Sequence, residues 1–285
     1  MNIVVLGSNG LLGGTLVPHL FGCGYNVTCV DRSGGAVVTA DLVDENQVNN
    51  ILNEHRPDVV VNLAAFTNVD ECEKNPSASY LLNVRIVENV TDWIRKYAKE
   101  CHLIQISTDQ VYDGPGPHRE SHVNLTNYYN FSKYAGELVA ASVSSTILRT
   151  NFFGPSQCPG RSSLSDWLVK SLKNGDSITV FDDVWFSPLS LRRLARFIEL
   201  AIDKRCRGTY NLGSRNGKSK AYFAFALAET LGLSTVNMKR GCCGNTLLVA
   251  YRPKDMRMDS TLFEEVFGVE LPTLDEEIKL MKGCY

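Results

Sequence analysis

The sequence contains no C-x-x-C pair, no apolar run long enough to cross a bilayer, and no Pro-rich or Gly/Ser-rich linker. Charge of one sign is also scarce, with 29 Lys and Arg against 31 Asp and Glu and a formal net charge of -2. Near-neutrality removes any global electrostatic reason to bind nucleic acid or an anionic membrane, so an anionic ligand must be held by local groups. Without an apolar run of bilayer length, no membrane-spanning helix is expected. Nine cysteines are scattered along the chain, adjacent only at Cys242-Cys243, and the five histidines stand at no finger-like spacing. Neither a secreted disulfide scaffold nor a structural metal is expected, and the thiols read as reduced and cytoplasmic. The opening Met1-Asn2-Ile3-Val4-Val5-Leu6-Gly7 has no basic start or small-residue cleavage site and enters a strand pattern at once.

What is present is a chain that can bury a core: 44% of its 285 residues are hydrophobic. Short β-branched runs at 3–6, 27–30, 59–62, 103–106 and 146–149 alternate with longer helical patterns. Nearly continuous apolarity within each run implies burial on both faces, the mark of a parallel sheet covered by helices on each side. The expected fold is α/β, a doubly wound parallel sheet of Rossmann type, with ligands at the carboxyl ends of the strands. From about residue 150 the alternation loosens at Gly154-Pro155 and Cys158-Pro159-Gly160, and helices are expected at 162–173, 191–204, 218–231 and 274–281.

Gly7-Ser8-Asn9-Gly10-Leu11-Leu12-Gly13 follows the first strand directly and opens a helical pattern. A glycine turn there lets backbone approach a pyrophosphate at a helix N-terminus, which makes Gly7, Asn9, Gly10, Leu11, Leu12 and Gly13 candidate dinucleotide contacts. Asp31, at the end of the next strand, can accept hydrogen bonds from both hydroxyls of an adenosine ribose, favouring NADH. Arg32 beside it can pair with a 2′-phosphate, favouring NADPH, so the choice between the two stays open. Residues 1–150 are the expected dinucleotide-binding domain, and 151–285 a smaller, mainly substrate-binding region packed on it.

Tyr129 and Lys133 stand four residues apart, which places phenol and ammonium on one helical face. An ammonium near a phenol favours the phenolate and lowers its pKa, and such a tyrosine can protonate the oxygen of a carbonyl that receives a hydride. Ser107-Thr108-Asp109 ends the fourth strand, where a hydroxyl can bind the same oxygen.

These stretches resemble the extended short-chain dehydrogenase/reductase family over nearly the whole chain, and within it the dTDP-4-dehydrorhamnose reductases. The likeness is carried further by the segments 56–65 and 67–70, Leu148-Arg149-Thr150, Ser187-Pro188 and Arg252-Pro253. It implies reduction of a nucleotide-linked 4-keto-6-deoxy sugar, with Tyr129 as proton donor, Lys133 on the nicotinamide ribose and Thr108 on the keto oxygen. It further implies that Ala64, Ala65, Thr67 and Ser107 line the cofactor path and that Asp41 and Leu42 lie near adenine. Asp109, Asn83, Phe152 and Arg252 are the residues it assigns to the substrate side, Asn83 by supporting the active-site helix. Relatives usually carry an aromatic where this chain has Gln110 and a glycine or alanine where it has Asn130. Some dimerise through a magnesium ion on a first-helix glutamate; Thr15 occupies that position, so a homodimer is expected without that metal. Sugar-nucleotide dehydratases, which use Asp-Glu after the threonine, are disfavoured because an amide at Gln110 cannot act as a base. Epimerases, and a dinucleotide-binding regulatory subunit like the β subunit of methionine adenosyltransferase, remain as alternatives.

Overall fold

The computed structural model describes residues 1–32, 38–245 and 248–285. Its centre is a seven-stranded sheet of β1 (Asn2–Leu6), β2 (Asn26–Asp31), β3 (Val38–Thr39), β4 (Val59–Asn62), β5 (His102–Thr108), β6 (Ser145–Thr150) and β7 (Gly208–Leu212). The order is β7-β6-β5-β4-β1-β2-β3, and every pairing is parallel. The doubly wound expectation is borne out. Chain direction across the sheet reverses between β1 and β4, and a crevice opens there at the strand ends.

Alternate residues of each strand feed two cores, as the two-residue period of a strand requires. Ile3 and Val5 pack with Leu16, Leu20, Leu194 and Ile198 from the Gly13–Gly22 and Leu191–Lys204 helices. Val4 and Leu6 face the other way, against Leu52, Val87, Val90 and Trp93 of the Glu45–His55 and Ile86–Tyr97 helices. The central strands are buried throughout, so their polar side chains are paired. Asn62 donates to Gln105 at 2.9 Å, and both His102 ring nitrogens are within 3.0 Å of the Ser144 and Thr146 hydroxyls.

A third core, built on Phe153, Leu168, Phe186, Phe223 and Leu227, belongs to the carboxyl-terminal region. The helices expected there are present as Leu164–Asn174, Leu191–Lys204, Lys220–Leu231 and Leu274–Lys279. A boundary at residue 150, however, separates β6 from β7. The chain returns to the sheet after 150, because the Leu191–Lys204 helix covers its first face and β7 extends its edge.

Candidate active site

Loops at the carboxyl ends of β1, β2, β4, β5 and β6 form the crevice. In the first, Gly7 adopts φ +79°, and a Cβ there would fall 2.8 Å from the Ala64 nitrogen. At Gly13 a Cβ would fall 2.2 Å from the Ser8 carbonyl oxygen. Both positions require glycine for the turn to close. Gly10 differs: its Cβ would meet only the Gly7 carbonyl, at 3.1 Å, and the residue lines both halves of the crevice. Asp31 stiffens the loop by accepting from the Asn9 and Arg32 backbone amides at 3.0 and 2.7 Å.

One half of the crevice is lined by Gly7, Asp31, Arg32, Asp41, Leu42, Ala64 and Ala65, all expected as cofactor contacts. A bare glycine edge, an acid at the end of β2 and an apolar wall from Leu82 and Ile86 fit an adenosine and its phosphates. The other half is lined by Leu11, Leu12, Gly13, Thr67, Ser107, Thr108, Asp109, Tyr129, Lys133 and Phe152. Gly10, Leu63, Ala65 and Arg161 line both halves, so the two are continuous.

The Tyr128–Ala140 helix aims the tyrosine. Its capping residue Asn127 accepts from the Asn130 amide while the Asn130 side chain accepts from the Asn127 amide, a reciprocal cap that fixes the first turn. Asn130 is fully buried and serves this cap, so its departure from the family pattern acts on the helix start. Tyr129 is buried with the Thr108 hydroxyl as a hydrogen-bonding neighbour, whereas Tyr128 is exposed.

The expected lowering of the phenol pKa by Lys133 is not what the structure shows. Burial drives the Tyr129 phenol well above its ordinary range, with Thr108 opposing and Asp109 and Cys72 adding to the rise. Lys133 instead donates to the Ile106 carbonyl at 2.7 Å, and burial pulls its ammonium down to about 8 against the opposing Glu137. Asp109 accepts from Asn151 at 2.7 Å, and burial pushes its carboxyl up to about 6, opposed by Asn151 and then Lys220.

Three expected contacts lie off the crevice wall. Asn83 bridges the Phe66 loop to the Tyr128–Ala140 helix: it accepts from the Phe66 amide at 2.7 Å and donates to the Ser132 hydroxyl at 2.9 Å. It ties that loop to the helix, the supporting part expected of it. Arg252 pairs with Asp70 at 2.9 Å and donates to the Ala250 carbonyl. Asn9 contributes through its backbone to Asp31. Ser107 lines the crevice, but its hydroxyl donates to Glu137.

Sequence reasoning missed Arg161 and Asn151, both of which line the crevice. Arg161 is carried on the loop after β6, whose Cys158 thiol donates to the Gly10 carbonyl at 3.0 Å and so seats the loop on the glycine turn. The only available signal was an arginine beside Gly160 in a segment past a strand end. Asn151 directly follows β6, and a polar residue at that sheet end was a readable sign. Gln110 was noticed as a departure; it lines the crevice with its side-chain oxygen buried and unpaired.

The profile of the family described as RmlD substrate binding domain matches residues 1–283. A dTDP-4-dehydrorhamnose reductase of Streptomyces griseus is 32% identical, covering 90% of this chain and 85% of that protein. A probable low-salt glycan biosynthesis reductase of Haloferax volcanii is 26% identical, covering 100% and 98%. The crystal structure of a dTDP-4-dehydrorhamnose reductase from Bacillus anthracis in complex with NADP superimposes with a TM-score of 0.88 at 26% identity, covering 98% of this chain and 97% of that one.

Proposed function

This chain belongs to the RmlD substrate binding domain family, and from that premise we propose that it is an NAD(P)H-dependent reductase of a nucleotide-linked 4-keto-6-deoxy hexose, of the kind that yields dTDP-rhamnose. One observation carries the reading: the Thr108 hydroxyl and the Tyr129 phenol face a pocket continuous with the compartment that fits a dinucleotide. The cofactor, when bound, supplies the hydride.

The residues of the chain do the rest. Thr108 and Tyr129 offer two hydroxyls to one substrate oxygen, holding the carbonyl and stabilising the charge that develops on it. Burial keeps Tyr129 protonated at neutral pH, which is the form that donates a proton to that oxygen. Lys133 lines the same pocket, where its ammonium donates to the Ile106 carbonyl, and in this reading it also holds the ribose of the cofactor. Phe152 offers an apolar wall, and Asp109 with Asn151 a polar one, to the sugar ring.

The proposal extends to a cytoplasmic protein, supported by nine free cysteines. No described helix is long and apolar enough to cross a membrane. It also extends to a homodimer without the magnesium site, supported by the exposed Tyr128, Phe131 and Leu138 along one helix. The test is a panel of 4-keto-6-deoxy sugar nucleotides offered with NADPH or NADH and followed at the nicotinamide absorbance. Oxidation with at least one of them is expected. Tight dinucleotide binding with no oxidation across the panel would instead describe a regulatory subunit.

A further inference from the structure

The carboxyl-terminal turns of the Gly13–Gly22 and Leu191–Lys204 helices bring three chemically different donor atoms together, on the far side of these helices from the crevice. His19 and the helix-capping Cys23 are four residues apart, so both side chains leave the same face of the first helix. Glu199 reaches them from the second. His19 Nε2 lies 2.7 Å from Glu199 Oε2 and 3.9 Å from Cys23 Sγ, and all three donors fall within 4.8 Å of one another. Leu16, Leu20, Leu194 and Ile198 lock the two helices together beneath them, so the frame is rigid.

A tetrahedral zinc ion with bonds of about 2.1 Å to nitrogen and oxygen and about 2.3 Å to sulfur separates its ligands by roughly 3.4–3.6 Å. The observed 2.7 and 3.9 Å lie on either side of that spacing. Cys23 is exposed and the His19 and Glu199 side chains are about a quarter exposed, so rotation at the ends of these side chains is free to adjust the spacing. The surroundings favour a cation. Glu199 and Asp203 outweigh Arg196 near the thiol, and Asp203 is held by the Tyr25 hydroxyl at 2.6 Å. A mixed nitrogen, sulfur and carboxylate set suits zinc or cobalt better than magnesium or calcium.

We propose that His19, Cys23 and Glu199 form a zinc-class cation site with water as the fourth ligand, clamping the first helix of the dinucleotide-binding unit to the Leu191–Lys204 helix. On binding, Cys23 releases its thiol proton to solvent, His19 keeps its ring proton on Nδ1 so that Nε2 presents a lone pair, and the cation takes the place of the hydrogen bond between Nε2 and Glu199. The sequence hid this set because 180 residues separate His19 from Glu199 and helical His-x-x-x-Cys spacing is unlike a finger motif. It is also separate from the Thr15 position, one turn earlier on the helix.

The test titrates the metal-free full-length protein with cobalt(II), then displaces it with zinc. One cobalt per chain is expected, with a thiolate-to-cobalt charge-transfer band and tetrahedral d–d bands. Cys23→Ser should abolish the charge-transfer band, and His19→Gln and Glu199→Gln should each weaken binding. Cys242→Ser, at the other exposed thiol, should change nothing. Zinc should raise the unfolding midpoint of the parent protein and not that of Cys23→Ser. Circular dichroism confirms that each variant is folded. Absence of the band, its survival in Cys23→Ser, or its loss in Cys242→Ser overturns the site. A band of unchanged affinity in both His19→Gln and Glu199→Gln reduces it to a surface thiol and overturns it equally. An unfolding midpoint indifferent to zinc overturns the clamp.

Discussion

Arg149 on β6 holds Glu137 of the Tyr128–Ala140 helix through Nε, 3.0 Å from both carboxylate oxygens, and through one terminal nitrogen at 2.6 Å. Both side chains are less than 5% exposed. The pair ties the helix that carries Tyr129 and Lys133 to the strand beside Thr108, and Glu137 also accepts from Ser107. Removing one member of a buried pair leaves an uncompensated charge, which costs far more than the pair itself contributes. Glu137→Gln, of equal size, is therefore expected to lower unfolding free energy by about 3–5 kcal/mol in denaturant titration. The double variant Glu137→Met/Arg149→Met should recover most of that loss. A single variant as stable as the parent would show that the charge is solvated after all.

The glycines separate into two kinds. Gly10→Val projects into the crevice and meets only its own turn, so a folded protein that no longer binds dinucleotide is expected in calorimetry. Gly13→Ala drives a methyl into the Ser8 carbonyl and should cost more than about 1 kcal/mol of stability before any ligand is added. Undiminished dinucleotide affinity in Gly10→Val would remove the phosphate-cradle reading of this loop.

The two-faced burial of β1, β4 and β5 was legible because a parallel strand must be apolar on both sides, and the glycine turn was legible because its spacing is dictated by backbone. The Tyr129 helix was legible as well, from its spacing to Lys133 and the apolar positions beyond. β7 was not. Its Gly208-Thr209-Tyr210-Asn211-Leu212 lies at the sheet edge and reads as mixed polarity, and the eye is carried past it by the loops after residue 150. The direction of the Lys133 side chain was equally unreadable: four-residue spacing gives a shared face, but the choice between the phenol and the Ile106 carbonyl is made by β5. Arg252 fell within a matched stretch, yet its partner Asp70 comes from a segment that sequence distance gave no reason to bring near.

Asp109 gives a pH dependence of determinate sign. Its folded-state pKa of about 6 lies above the ordinary 3.8, so the folded protein retains this proton over a range where the unfolded chain has lost it. Stability from this group therefore falls as pH rises from about 4 to 6, and above that the full penalty of an ionised buried carboxylate is present. With roughly two pKa units involved, the penalty is on the order of 3 kcal/mol. Asp109→Asn keeps an acceptor for Asn151 and should be more stable than the parent at pH 7, with the advantage vanishing near pH 4. An advantage that grows toward acid would reverse the assignment.

Arg32 is exposed and lines the adenosine half of the crevice next to Asp31. Loss of a charged hydrogen bond to a 2′-phosphate costs about 1–3 kcal/mol, so Arg32→Ala should weaken NADPH by that amount while leaving NADH nearly unchanged. Equal losses for the two dinucleotides would show that Arg32 does not read the 2′ position.

Tyr129 and Tyr128 provide the sharpest test of the chemical step. Tyr129→Phe preserves ring volume in a buried site and removes only the hydroxyl beside Thr108, so the fold and dinucleotide binding should persist. Turnover should fall by about 10²–10⁴, the usual contribution of a general acid. Tyr128 projects about 100° away around the helix and is exposed, so Tyr128→Phe should keep full turnover. Lys133→Met acts elsewhere: it removes the donor to the Ile106 carbonyl and the proposed ribose contact, so cofactor affinity and turnover should drop together. Because the phenol is raised by burial, the pH profile of the parent should show no loss of the proton donor near neutrality. An inactive Tyr128→Phe beside a fully active Tyr129→Phe would mean that the proton comes from the opposite face of the helix. Full turnover in both would move the donor away from tyrosine altogether.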